Sequence, residues 1–191
     1  MTRKDRRKER EKSLLTRSKT LAGMAAAVMI AVAASSLALC AEISEDEKSY
    51  SYELEAVYGL PEGVVMAVAE TESGLDPEAG NGTCEGLMGI HRRYAAHYAE
   101  LAGLEAYDLH DARHSMTIGS VILAEHLERC GGDLNRALMC YNLGAGGAAE
   151  KWRSGVKSTW YSRTVMERME KYARPADDLC EGLLPVRAEI E

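Results

Sequence analysis

Phenylalanine is absent from this 191-residue chain, and tyrosine and tryptophan together bring aromatic content to only 6%. A core built mainly on aromatic rings is thereby excluded. With 46% of residues hydrophobic, there is still material for one core, and it must be assembled from Leu, Val, Ala and Met. Also missing is any alternation of apolar and polar residues of the kind a half-buried strand needs. Nor is there an internal repeat, a phosphate-binding loop or a dinucleotide fingerprint. Positive charge is scarce beyond the first twenty residues. Those hold nine Lys and Arg against three Asp and Glu, so the net charge of −7 becomes −13 over the rest of the chain. Nucleic-acid binding by the main domain is thus disfavoured.

The longest apolar stretch is residues 21–41, an uncharged run of 21. At about 1.5 Å per residue it is long enough to cross a bilayer as a helix. The basic segment 1–20 should stay cytoplasmic by the positive-inside rule, which places the remainder outside the cell membrane as a single-pass protein. The alternatives are a cleaved signal peptide, which would make the protein secreted, and a lipoprotein signal. Leu37-Ala38-Leu39-Cys40 resembles a lipobox, although Leu39 stands where a small residue is usual. The basic flank is longer than a signal peptide usually carries, which favours a retained anchor.

Five cysteines occur, and export would leave Cys84, Cys130, Cys140 and Cys180 outside, allowing three pairings. Their spacing matches no zinc knuckle. Cys84 and Cys130 border glycine-rich loops and are the better disulfide candidates, while Cys140 lies in an apolar helical pattern as a buried thiol. His110 and His114 stand four residues apart without an evident third ligand, so neither a metal nor another cofactor is expected.

From residue 42 to about 174 the pattern is helical throughout. Ser44 and Glu47 form a capping box, and Tyr50, Leu54 and Val57 carry an apolar stripe to Gly59. Pro61 suits the first position of a second helix ending at Gly74. A loop dense in turn residues covers 75–85, followed by Gly86-Leu87-Met88-Gly89-Ile90. Helices are expected from His91 to about Leu101, from an Asp111 cap to Cys130, from Leu134 to the Asn142–Gly147 region, and from Tyr161 to about Ala173. Beyond Pro175 the acidic tail, 175–191, reads as disordered. The expected fold is an all-α bundle preceded by one membrane or signal-anchor helix.

Within that bundle the helix of 61–74 is unusual. At about 100° per residue, Val64, Val65, Val68 and Ala69 share an apolar face, and Glu72 follows four residues after Val68 on the same side. Glu70 falls nearly opposite, as solvated surface. A carboxyl turned away from water keeps its proton to higher pH, as a general acid requires. The alternative is that Glu72 merely ends the helix and leans into solvent.

Glu72-Ser73-Gly74, then Gly86-Leu87-Met88, then Tyr141-Asn142-Leu143-Gly144, in this order and spacing, resemble the three motifs of the soluble lytic transglycosylase (SLT) family, whose fold is lysozyme-like and all-α. The resemblance runs from about Leu54 to Tyr172. It implies cleavage of the β-1,4 bond between N-acetylmuramic acid and N-acetylglucosamine in peptidoglycan glycan strands, with closure of a 1,6-anhydro ring in place of water addition. By that likeness Glu72 is the acid and then the base, and Ser73 steadies the site. Gly86, Leu87 and Met88 shape the groove, with Met88 lining it. Tyr141 bonds near the Glu72 carboxyl, Asn142 holds the surrounding loop, and Tyr161 matches a further cleft tyrosine. One departure stands out: Gly89 occupies the position where members usually carry glutamine, so an amide for the sugar is missing and restoring it should help. Competing readings are a muramidase of the same fold, for which Asp76 or Glu85 would be the second carboxylate, and a wall-binding or assembly protein without turnover.

Overall fold

The computed structural model describes residues 43–174. The basic segment, the apolar run 21–41, the tail 175–191 and Cys180 lie outside the described residues. No helix among the described residues is long and apolar enough to cross a membrane.

Six helices make up the described part: α1 (Glu45–Tyr58), α2 (Val64–Glu72), α3 (Arg92–Leu101), α4 (Ala112–Arg129), α5 (Leu134–Arg153) and α6 (Trp160–Tyr172). The all-α expectation holds, with one addition. Cys84–Glu85 (β1) and Ile90–His91 (β2) pair antiparallel, Glu85 opposite Ile90. Two-residue strands are too short to leave an alternating pattern, which is why the sequence does not announce them.

At the centre lies α2. Every residue from Val64 to Ala69 is buried, and the helix packs on α6, α1 and α4. Removing each of its larger side chains from water contributes about 1.5–3 kcal/mol. Nine residues are too few for a helix to persist in water alone, so packing holds it in place. Pro61 does not open this helix as expected. Gly63, at φ 78°, is its N-cap, and the Pro61 carbonyl instead accepts the Val64 N–H across a turn, at 3.2 Å.

The capping predictions succeed elsewhere. Ser44 and Glu47 form their reciprocal box at the head of α1, and Asp111 and Asp133 cap α4 and α5. In α6, Tyr161, Val165 and Tyr172 are buried and Met169 packs against them. One stripe assignment fails. Val57 is 74% exposed, because the inward face of α1 passes through Ser51, Leu54 and Glu55. The helix from Leu134 does end in the glycine-rich stretch, as expected: Gly144 (φ 70°, ψ 160°) is non-helical, and a second helical stretch follows it to Arg153.

Candidate active site

Glu72 is the last residue of α2, and Ser73 is the C-cap. Helix α6 runs alongside and brings the Tyr161 hydroxyl to 2.6 Å from Glu72 Oε1, to which it donates a hydrogen bond. Burial raises the pKa of Glu72, and the Tyr161 bond, which favours the carboxylate, only partly opposes this. No other carboxylate contributes to the shift. Tyr161 is 5% exposed, and burial followed by the Glu72 charge drives its own pKa far upward. It therefore stays a donor at any ordinary pH.

The other wall is the hairpin tip between β1 and β2. Gly86 adopts φ 77°, and a Cβ there would lie 1.8 Å from the Leu109 carbonyl oxygen; only glycine fits. Gly89 closes the turn with its N–H on the Gly86 carbonyl, at 3.0 Å. With φ at 61°, a Cβ at Gly89 would fall 2.8 Å from Glu72 Oε2. The backbone of residue 89 thus abuts the carboxyl itself. Against the expectation that glutamine here would help stands the geometry: its Cβ would push the end of the Glu72 side chain aside, from a left-handed backbone that disfavours it.

Leu87 and Met88 are fully buried. Met88 does not line a groove, as the motif suggests; its side chain packs on Gly119 of α4, where any Cβ would meet it within 3.0 Å. What Met88 presents to the site is its backbone. Its N–H donates to Ser115 Oγ at 3.1 Å, and its carbonyl accepts from the Tyr141 hydroxyl at 2.9 Å. Tyr141 therefore bonds the hairpin tip and leaves the Glu72 carboxyl to Tyr161. It lies near enough to Glu72 that, after burial, the carboxylate charge is the next cause raising its pKa.

The remaining motif residues are placed differently from expectation. The Ser73 hydroxyl donates back to the Ala69 carbonyl at 3.0 Å, an ordinary bond for a serine at a helix end. Asn142 is exposed beside the Gly144 bend, and among the described residues its side chain makes no hydrogen bond that would hold the loop. Asp76 is exposed and accepts the Glu78 N–H at 2.9 Å. Glu85 is engaged by Arg92 at 3.2 Å and faces His110 at 3.7 Å. His110 and His114 do not converge: His110 Nδ1 lies 3.1 Å from the Pro77 carbonyl, and His114 Nδ1 accepts the Asp108 N–H. Among the described residues no cluster of metal-binding side chains occurs.

Two contributors escape the motif. Ser115, buried on α4, anchors Met88; it is one of three buried hydroxyl residues on that helix, with Thr117 and Ser120, so the sequence does not single it out. Glu55 is the other. Only 4% exposed, it accepts the N–H groups of Gly63 at 2.9 Å and Val65 at 3.0 Å, and so caps α2 from α1. Its signal is the cap that α2 lacks, since Gly63 offers no side chain. Glu70, expected to be solvated, is instead held by the Tyr172 hydroxyl at 2.7 Å and Lys171 at 3.2 Å, tying α2 to α6 a second time.

Comparison with known proteins follows this arrangement. The model of the transglycosylase SLT domain matches residues 49–162. Among solved structures, the chain is similar to an inactive mutant of the lytic transglycosylase Slt from Pseudomonas aeruginosa, with 17% identity and a TM-score of 0.58. It is also similar to the 70 kDa soluble lytic transglycosylase of Escherichia coli, with 20% identity and a TM-score of 0.56. Each match covers 65% of this chain and 23% of the other, so the likeness is one of fold over less than a quarter of those proteins. The family match, by contrast, takes in Glu72, the whole hairpin tip, Tyr141 and Tyr161, and on it the chain belongs to the transglycosylase SLT domain family.

Proposed function

We propose that this chain is a peptidoglycan lytic transglycosylase that cleaves the β-1,4 bond between N-acetylmuramic acid and N-acetylglucosamine and leaves 1,6-anhydro ends. The observation that carries this reading is the lone carboxyl of Glu72, half-buried, raised in pKa and bonded by Tyr161 at 2.6 Å. Tyr161 occupies Oε1, so the acid proton belongs on Oε2, the oxygen beside Gly89. From there Glu72 protonates the glycosidic oxygen as the bond breaks. The resulting carboxylate then takes the proton from the sugar's own 6-hydroxyl as that oxygen closes on the anomeric carbon. An intramolecular nucleophile has the advantage of proximity. A hydrolytic route would need a second carboxylate to activate water on the opposite face, and Asp76 and Glu85 are committed elsewhere. On this reading Gly86, Leu87 and Met88 hold the hairpin backbone against Glu72, and Tyr141 fixes that backbone in turn.

Digestion of purified sacculi with product mass spectrometry is the test. Soluble muropeptides ending in anhydro-muramic acid are expected; mainly reducing ends would make the protein a muramidase, and binding without release would make it a wall-binding protein. We place the domain outside the cell membrane, anchored by residues 21–41. Intact mass of the native protein checks this, since an N-terminus near Ala41 or a lipid on Cys40 would replace the anchor with a signal sequence.

A further inference from the structure

Across the Gly131-Gly132 turn joining α4 to α5, Cys130 Sγ and Cys140 Sγ lie 3.9 Å apart. Cys140 belongs to a small buried cluster with Met139 and Ala148, against which Cys130 and Trp152 pack. The turn between them is already ordered. Gly132 N–H bonds the Leu127 carbonyl at 2.9 Å, and Asp133 Oδ1 accepts the Arg136 N–H at 3.0 Å. Arg136 in turn stacks over Trp152 at 5.3 Å. The two thiols are thus held as neighbours across a hydrogen-bonded turn. A disulfide needs its sulfurs at about 2.05 Å, so the two must approach further than the 3.9 Å they now stand apart. Cys84, the other candidate singled out in the sequence, sits on β1, where the Glu72 charge adds to burial in raising its pKa.

We propose that Cys130 and Cys140 form an intrachain disulfide that staples the end of α4 to the first half of α5. The oxidant is a disulfide, either a small-molecule one or that of an exported thiol–disulfide oxidoreductase. Cys130, the more exposed of the two, attacks one sulfur of the donor as thiolate and releases the other as a thiol. Cys140 then attacks the Cys130 sulfur of the mixed disulfide and releases the second donor thiol. Two protein thiols are oxidised and the donor disulfide becomes two thiols. Burial and the neighbouring Cys140 raise the Cys130 pKa to about 11, so thiolate is scarce and the uncatalysed exchange is slow. The proposal is independent of the catalytic reading, although Tyr141, the donor to Met88, adjoins Cys140.

The purified full-length chain supplies the test. It is incubated with oxidised glutathione, alkylated and digested with trypsin, which cuts after Arg129, Arg136 and Lys151 and so separates the two cysteines onto different peptides. Peptide 130–136 joined to 137–151 is expected, two hydrogens lighter than the pair and released by dithiothreitol. The oxidised chain should also melt about 5–10 °C above the reduced one, and Cys130→Ser or Cys140→Ser should abolish that difference. Recovery of both cysteines alkylated, a stable glutathione adduct on Cys130, or a link from either to Cys40, Cys84 or Cys180 would overturn the proposal. So would a melting temperature indifferent to dithiothreitol while the link is present.

Discussion

Two glutamates bracket the central helix, and their surroundings separate a carboxyl that builds from one that is left free to react. Glu55 meets the N-terminal end of α2 with both oxygens occupied by backbone N–H groups. Glu72, at the other end, has one oxygen held by Tyr161 and the other beside a glycine backbone. Burial raises the pKa of both. Perturbation alone therefore does not single out the reactive group, even though perturbed carboxyls gather at functional sites. The distinction lies in which oxygen remains available, and that is a matter of geometry.

Substitutions at the two ends should separate the roles. Glu72→Gln keeps the shape and removes the transferable proton, so turnover of sacculi should fall about a hundredfold to ten-thousandfold while the melting temperature holds; comparable turnover would refute the assignment. Gly89→Gln should also lower activity, by about tenfold or more, through displacement of the Glu72 carboxyl. Improved turnover would show that the hairpin tip accommodates a side chain after all. Glu55 acts on stability. Its folded pKa of about 7 stands above the ordinary 4.5, so the folded state keeps a proton that the unfolded state releases. That contribution is complete below about pH 4.5 and is lost as pH rises through 7, a decline of order 2–3 kcal/mol. Glu55→Gln should flatten this slope in denaturant titrations. Its amide nitrogen also replaces an acceptor and leaves one backbone N–H unpaired, at a cost of about 1–3 kcal/mol. Unchanged pH dependence in the variant would remove Glu55 from this role. Smallest is Tyr161→Phe. Loss of the bond that favours the Glu72 carboxylate moves the alkaline limb of the pH–rate profile to higher pH, with rates about three- to tenfold lower. An unmoved limb would mean that Glu72 is not the acid.

Most of the helical frame was legible in the sequence because capping is local. Ser44, Asp111 and Asp133 each satisfy the backbone a few residues away, and a stripe such as Tyr161, Val165 and Tyr172 follows from helical geometry alone. Glu72 was legible for the same reason, from its phase against Val65 and Val68. What could not be read were bonds that cross the fold. That Tyr161 bonds Glu72 while Tyr141 bonds the Met88 carbonyl depends on how α5 and α6 approach α2, and the Glu55 cap depends on how α1 folds back on it. Met88 looked like a groove residue because its motif is functional; the tertiary fact that Gly119 makes room for its side chain puts it in the core. At Gly89, a missing side chain reads in sequence as a lost function, and the structure shows the carboxyl in its place.

The short length of α2 bears on when the protein can be active. A helix of nine residues, almost all of it enclosed by its neighbours, has no stability apart from theirs. Its amide protons should be among the slowest in the domain to exchange, opening only with global unfolding, although it is the shortest of the described helices. Partly unfolded forms that release α3 or fray the end of α6 would still keep Glu72 at the end of an intact α2, whereas none could lose α2 and keep the rest. During folding the acid would accordingly be set in place with the closing of the core itself, and not by a later local step.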